Sequence, residues 1–132
     1  MKQLIAKARA ARKHAYAPYS RFKVGAAIEC ADGRIFTGCN VESESYAATC
    51  CAERTAIYKA VSEGARSFKR IAIVADTKEA CPPCGICRQV LIELAPKIEV
   101  IMANTHGCTL VARISDLLPN AFRAERFKRR SR

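Results

Sequence analysis

Three cysteines and one glutamate carry the chemistry this sequence can do. Cys51-Ala52-Glu53 stands in one segment and Pro83-Cys84-Gly85-Ile86-Cys87 in another. Taken alone, Cys84 and Cys87 read as a redox pair at a helix start, and Cys51 as a buried core thiol. Taken together, three thiols and a glutamate two residues from one of them read as a zinc centre. A catalytic zinc takes three protein ligands and keeps its fourth position for water. Three thiolates leave such a centre negatively charged, which blunts its power to acidify that water. Arg54, next along the chain, is placed to offset the excess charge. Glu53 is not a ligand in this reading. It takes a proton from the bound water and returns it to the substrate, as general base and then general acid.

Two helix starts must position these groups, because free N–H groups and the helix dipole favour thiolates there. The pattern predicts a first helix over 2–14, with Leu4, Ile5, Ala8, Ala11 and Ala15 near one face. Ala17-Pro18 ends it. Phe22, Val24, Ala26 and Ile28 alternate as a strand that turns at Asp32-Gly33 and returns over 34–40. A polar loop over 41–48 follows. Thr49 is expected to cap a helix over 50–63, closed by Gly64. Residues 70–75 form a buried strand. A loop over 77–82 leads to a helix over 83–95, with Pro83 in its first turn. Strands over 98–103 and 109–114 and a short helical turn complete the order. A hairpin followed by two strand–helix crossovers implies a three-layer α/β/α domain, a mixed five-stranded sheet with helices on both faces. We expect this domain to span 1–122 and a basic tail to occupy 123–132.

The 132 residues are half apolar and 27% charged, a globular composition. No apolar run approaches the roughly 18 residues of a membrane span. The formal net charge of +11 is carried by the two ends. Residues 1–28 hold seven basic side chains and no acidic one, whereas 29–120 are nearly neutral. A neutral middle favours a small uncharged substrate, so nucleic acid is not the expected partner. Eight cysteines without a visible secretory signal point to the cytoplasm, where clustered thiols bind metal.

The Cys-x-Glu and Pro-Cys-x-x-Cys segments match the signature of the zinc deaminases, in a three-cysteine form. The chain resembles the small homotetrameric cytidine deaminases from about Tyr16 to Phe122. The match also includes Phe22-Lys23-Val24-Gly25-Ala26-Ala27, Asn40-Val41-Glu42 and Leu117-Leu118-Pro119-Asn120-Ala121-Phe122. The resemblance implies Zn²⁺ on Cys51, Cys84 and Cys87, with Glu53 moving protons at N3 and at the departing amine of a pyrimidine nucleoside. It implies that Asn40 and Glu42 bind the ribose hydroxyls, that Phe22 packs on the pyrimidine, and that the Ala52 N–H holds the base's O2. It places Tyr46 at a subunit interface and Phe122 in a neighbouring subunit's site, in a homotetramer. The other five cysteines, Cys30, Cys39, Cys50, Cys81 and Cys108, match no ligand position.

Two departures stand near the expected site. Ser43-Glu44 replaces the usual Asn-Ala after the Asn-x-Glu segment, and Pro82 removes a backbone donor beside the leaving amine. Glu44, if it lies by the sugar's 5′ end, would repel a 5′-phosphate, or it would be a solvated loop charge. The implied reaction is hydrolytic deamination of cytidine and 2′-deoxycytidine. The alternatives are a related small nucleoside (N4-modified, or aminoacylated as in blasticidin S), a polynucleotide, or a zinc module without catalysis.

Overall fold

The computed structural model describes residues 1–124. Beyond Arg123 and Ala124, the expected basic tail lies outside the described residues. Helix α1 (Lys2–Arg12) opens the chain, and β1 (Val24–Cys30) and β2 (Ile35–Cys39) form a hairpin. A short 3₁₀ turn at Tyr46–Ala48 leads to α2 (Ala52–Ser62) and β3 (Phe68–Ala75). Then come α3 (Gly85–Leu94), β4 (Glu99–Asn104), β5 (Thr109–Arg113) and the short α4 (Ile114–Leu117). The sheet order is β2-β1-β3-β4-β5. β3 and β4 run parallel, and the other neighbouring pairs are antiparallel. The mixed five-stranded sheet expected from the element order is the one observed.

Two cores explain the three layers. On one face, Leu4 and Ala8 of α1 pack on Ala27, Ala72, Val74, Ile101 and Ala103. On the other, Ala56, Ile57 and Ala60 of α2 and Leu91 and Ile92 of α3 cover Ala26, Ile28, Ile71, Ile73, Val100 and Met102. Central strands covered on both faces lose the in–out alternation of a half-exposed strand. This corrects the reading of residues 22–28. β1 begins at Val24 and is buried on both sides, while Phe22 lies before the strand and is exposed.

The start of α2 is also corrected. Cys51, not Thr49, is the N-cap residue, and no side chain caps the helix. The Thr49 hydroxyl instead accepts the Ser43 N–H at 3.0 Å, and Cys50 pairs with Val41. At the other end the expectation holds. Gly64 adopts φ +96, and the Ala65 N–H reaches back to the Ala60 carbonyl.

Two glycines let helices approach the sheet. A Cβ on Gly25 would stand 1.9 Å from the Ala8 carbonyl oxygen in α1. A Cβ on Gly38 would stand 2.5 Å from the Ala56 nitrogen and 2.7 Å from the Ala52 carbonyl oxygen. Gly38 therefore sets how closely the first turn of α2 rests on β2. Gly38→Ala is expected to cost about 1–3 kcal/mol, the usual range for overpacking. A thermal melt should show the loss. An unchanged midpoint would mean that α2 can shift without penalty.

Candidate metal centre and active site

Cys51 is the N-cap residue of α2 and Cys84 that of α3, with Cys87 in the first turn of α3. Two helix N-termini thus bring the three sulfurs together, all within 4.8 Å of one another. The Cys51 and Cys84 sulfurs are 3.6 Å apart, and those of Cys84 and Cys87 are 3.4 Å apart. A tetrahedron with Zn–S bonds of about 2.3 Å has edges of about 3.8 Å. The donor set therefore fits zinc in both chemistry and size. No fourth cysteine, histidine or carboxylate joins the group among the described residues.

The electrostatics prepare the site for thiolates. The Cys51 thiol is held down to about 5, first by the hydrogen bond from Cys87, then by those from Arg54 and Cys84, against its burial. Arg54 Nη2 lies 3.2 Å from the Cys51 sulfur and 3.5 Å from the Thr49 carbonyl oxygen. The guanidinium is therefore where a compensating cation is needed. Its Nε is buried and has no hydrogen-bond partner.

Glu53 is only 4% exposed. Burial pushes its carboxyl up to about 7, and the negative charge on Cys51 adds to the shift. It sits in the first turn of α2, where its own backbone N–H and the nearby Cys87 thiol act against that shift. This gives a buried carboxyl that titrates near neutrality beside a three-sulfur metal site.

These groups line one end of a cavity of about 250 Å³. Phe22, Val24, Asn40, Glu42 and Ser20 line it as well, with Ala52, Cys81 and Pro82 beside the sulfurs. Ala52 is the first residue of α2, so its N–H has no partner within the helix. Asn40 is buried. Its Nδ2 donates to the Phe22 carbonyl at 2.7 Å, and its Oδ1 accepts the Val24 N–H at 2.9 Å. The amide thus pins the start of β1 and retains one N–H and one lone pair. Glu42 is tied to the neighbouring loop. It accepts the Tyr19 and Ser20 N–H groups at 2.9 and 3.1 Å and the Ser20 hydroxyl. The Ser20 hydroxyl first, then the two backbone donors, hold its carboxyl below the usual range. A carboxylate accepts about four hydrogen bonds, so roughly one site remains for a ligand.

Three expected residues stand apart from this cavity in the single chain. Tyr46 is 83% exposed and lines a second pocket with Tyr19, Ser20, Glu42, Ser43 and Thr49. Glu44 lines neither pocket, and the Tyr19 hydroxyl donates to it. Phe122 is 64% exposed, and its carbonyl accepts from Gln89 at 2.8 Å.

Other residues shape the site without a sequence signal. Arg88 donates through Nε to the Pro83 carbonyl and through Nη1 to the Leu117 carbonyl. It thereby fixes the ligand loop against the end of the domain. Asn104 is buried and bridges two loops. Its Nδ2 donates to the Thr77 and Lys78 carbonyls, and its Oδ1 accepts the His106 and Cys108 N–H groups. That bridge holds the segment that ends in Cys81 and Pro82. Neither Pro82 nor Pro83 has an amide hydrogen. The Pro82 carbonyl receives only a long contact, 3.8 Å, from the Cys81 thiol. Burial pushes that thiol up to about 11, which keeps it protonated and inert.

An α/β/α domain with three thiolates at two helix N-termini, a buried carboxyl beside them and an adjoining small cavity is a zinc-dependent hydrolytic centre. The zinc-binding region shared by the cytidine and deoxycytidylate deaminases matches residues 1–103. A cytidine deaminase of Halalkalibacterium halodurans is 53% identical over 123 residues, covering 92% of this chain and 93% of its own. A cytidine deaminase of Sporosarcina psychrophila is 48% identical over 126 residues, covering 95% and 93%. The crystal structure of cytidine deaminase from Burkholderia pseudomallei superposes with a TM-score of 0.90 at 52% identity, covering 92% of this chain and 98% of its own. The chain belongs to the cytidine and deoxycytidylate deaminase family, and its metal is zinc. No helix among the described residues is long and apolar enough to cross a membrane.

Proposed function

We propose that this chain hydrolyses the exocyclic C–N bond of cytidine and 2′-deoxycytidine, giving uridine or 2′-deoxyuridine and ammonia. The observation that carries this reading is the buried Glu53 carboxyl in the first turn of α2, lining a small cavity beside the three-sulfur cluster. Zinc held by Cys51, Cys84 and Cys87 would supply Lewis acidity toward the attacking water. Glu53 removes a proton from the attacking water and delivers it to N3 of the base. It then takes the proton of the new C4 hydroxyl and passes it to the amine as the C–N bond breaks and the C4 carbonyl forms. Arg54 offsets the charge of the thiolates. The Ala52 N–H holds the base's O2, and Phe22 packs on the ring. Asn40 and Glu42, each with bonding capacity left over, take the ribose hydroxyls.

A purely structural zinc site would need a fourth protein ligand, and the described cluster has three. A cavity of about 250 Å³ is small for a ligand site and suits one nucleoside better than a polymer. Ammonia release from cytidine, deoxycytidine, their 5′-monophosphates, N4-methylcytidine, blasticidin S and single-stranded DNA tests the reading. The two plain nucleosides should turn over fastest. Faster turnover of any other member of the panel would replace the substrate assigned here.

The active form is a homotetramer in this reading. It is supported by the exposure of Tyr46 and Phe122 in the single chain. Sedimentation at assay concentration should show a tetramer, and a fully active monomer would refute it. A cytoplasmic location fits eight cysteines, all free in the structure.

A further inference from the structure

The face of α1 that looks away from the sheet carries no function in this scheme. Leu4, Ala8 and Ala11 bury one side of the helix. At 100° per residue, Lys2, Arg9 and Lys13 fall on a single stripe directly opposite. All three are exposed. With a rise of about 1.5 Å per residue, the stripe runs about 16 Å. Residues 1–28 contain no acidic side chain to neutralise it.

Among the described residues, the acids that other elements bring to the same side of the sheet are already engaged. Asp76 accepts from Thr105 at 2.9 Å and pairs with His106 at 2.7 Å. Glu29 pairs with Arg70 at 3.2 Å, and Glu99 stands in register between Arg70 and Arg113. The stripe therefore presents uncompensated positive charge. Clustering of Lys and Arg along one helix of a basic domain is the electrostatic footprint of a nucleic-acid binder.

We propose that the outer face of α1 binds the phosphate backbone of nucleic acid, without base recognition and without feeding the catalytic cavity. A polyanion matches several cations in a row, since duplex DNA carries one charge per about 1.7 Å of axis. A lipid surface is the poorer fit. The apolar side of α1 is spent on the sheet, and the stripe has no Trp, Phe or Leu to enter a membrane. The cavity opens beside α2 and α3, which cover the opposite face of the sheet from α1. Strand bound on α1 is thus separate from the substrate site, and this inference does not depend on the substrate assigned above.

The experiment uses the full zinc-loaded chain and a fluorescent 20-nucleotide single strand of mixed sequence. Anisotropy is read between 50 and 200 mM salt, for wild type and for Lys2→Gln/Arg9→Gln/Lys13→Gln. Each phosphate contact adds about 0.7 to the slope of log affinity against log salt for a single strand. The triple variant should lower that slope by about 2 and weaken binding at least roughly ten-fold at 50 mM salt. Its kcat/KM for cytidine should equal that of wild type, which certifies the fold. No binding by wild type at 50 mM salt overturns the proposal. So does the same affinity and slope in the triple variant, which would assign binding to another surface. Wild-type binding to phosphatidylserine vesicles in preference to the oligonucleotide overturns it in favour of a lipid surface.

Discussion

Replacement of Glu53 by glutamine is expected to lower turnover of cytidine by about two to four orders of magnitude, the usual worth of a positioned acid–base group. The amide keeps the size of the side chain, so the fold and the cavity should persist. What it loses is the ability to accept a proton from water and give it up again. Burial holds the wild-type carboxyl at about 7, where one group serves both as base and as acid within a cycle. The variant should still bind about one zinc per chain and should retain affinity for nucleoside. Elemental analysis, a binding titration and steady-state kinetics on the same preparation separate these effects. Near-normal turnover would remove Glu53 from the mechanism. Loss of zinc would make it a structural support of the metal site instead.

Cys84→Ser should remove zinc, stability and activity together. The Cys84 sulfur lies 3.6 Å from that of Cys51 and 3.4 Å from that of Cys87. A serine hydroxyl stays protonated at neutral pH and is a poor replacement for a thiolate. Two thiolates alone cannot hold the metal as a closed three-ligand set. Metal binding is linked to folding, so the melting temperature should fall along with occupancy. Occupancy should drop from about one zinc per chain towards zero, and activity should become undetectable. Cys108→Ser is the control, because that thiol is exposed and outside the cluster. Full zinc occupancy in Cys84→Ser would show the ligand set to be wrong.

The metal centre was legible because its chemistry is local. Each ligand lies within a short motif, and thiolates at helix starts need no knowledge of the rest of the fold. The element order was legible for a similar reason, since hydrophobic runs and breakers such as Pro18, Gly33 and Gly64 are written in sequence. What failed depended on neighbours distant in the chain. Phe22 continued an alternating pattern, but helices on both faces erase alternation in β1, so the pattern said nothing about where the strand begins. Thr49 had the chemistry of a cap, but Ser43 claims its hydroxyl and a metal ligand occupies the cap position. Asn104 looked like ordinary turn chemistry. Its bonds to His106 and Cys108 are that local chemistry, but those to Thr77 and Lys78 exist only once β3 and β4 lie side by side. The remaining bonding capacity of Asn40 and Glu42 could be counted only after Phe22, Val24, Tyr19 and Ser20 had taken their share.

The paired prolines give the cavity a directional preference. Pro82 lines the cavity without an amide hydrogen, and its carbonyl receives a long contact from the Cys81 thiol. A group arriving at that stretch finds an acceptor and nothing that donates. The amino group of cytosine suits such a surface, because it brings hydrogens. Uracil presents a carbonyl oxygen at the same ring position, and oxygen facing oxygen repels. If the amino group of the proposed substrate meets this carbonyl, deamination would turn a complementary contact into a mismatched one. On the function proposed above, a wall that accepts and does not donate would favour the substrate over its product.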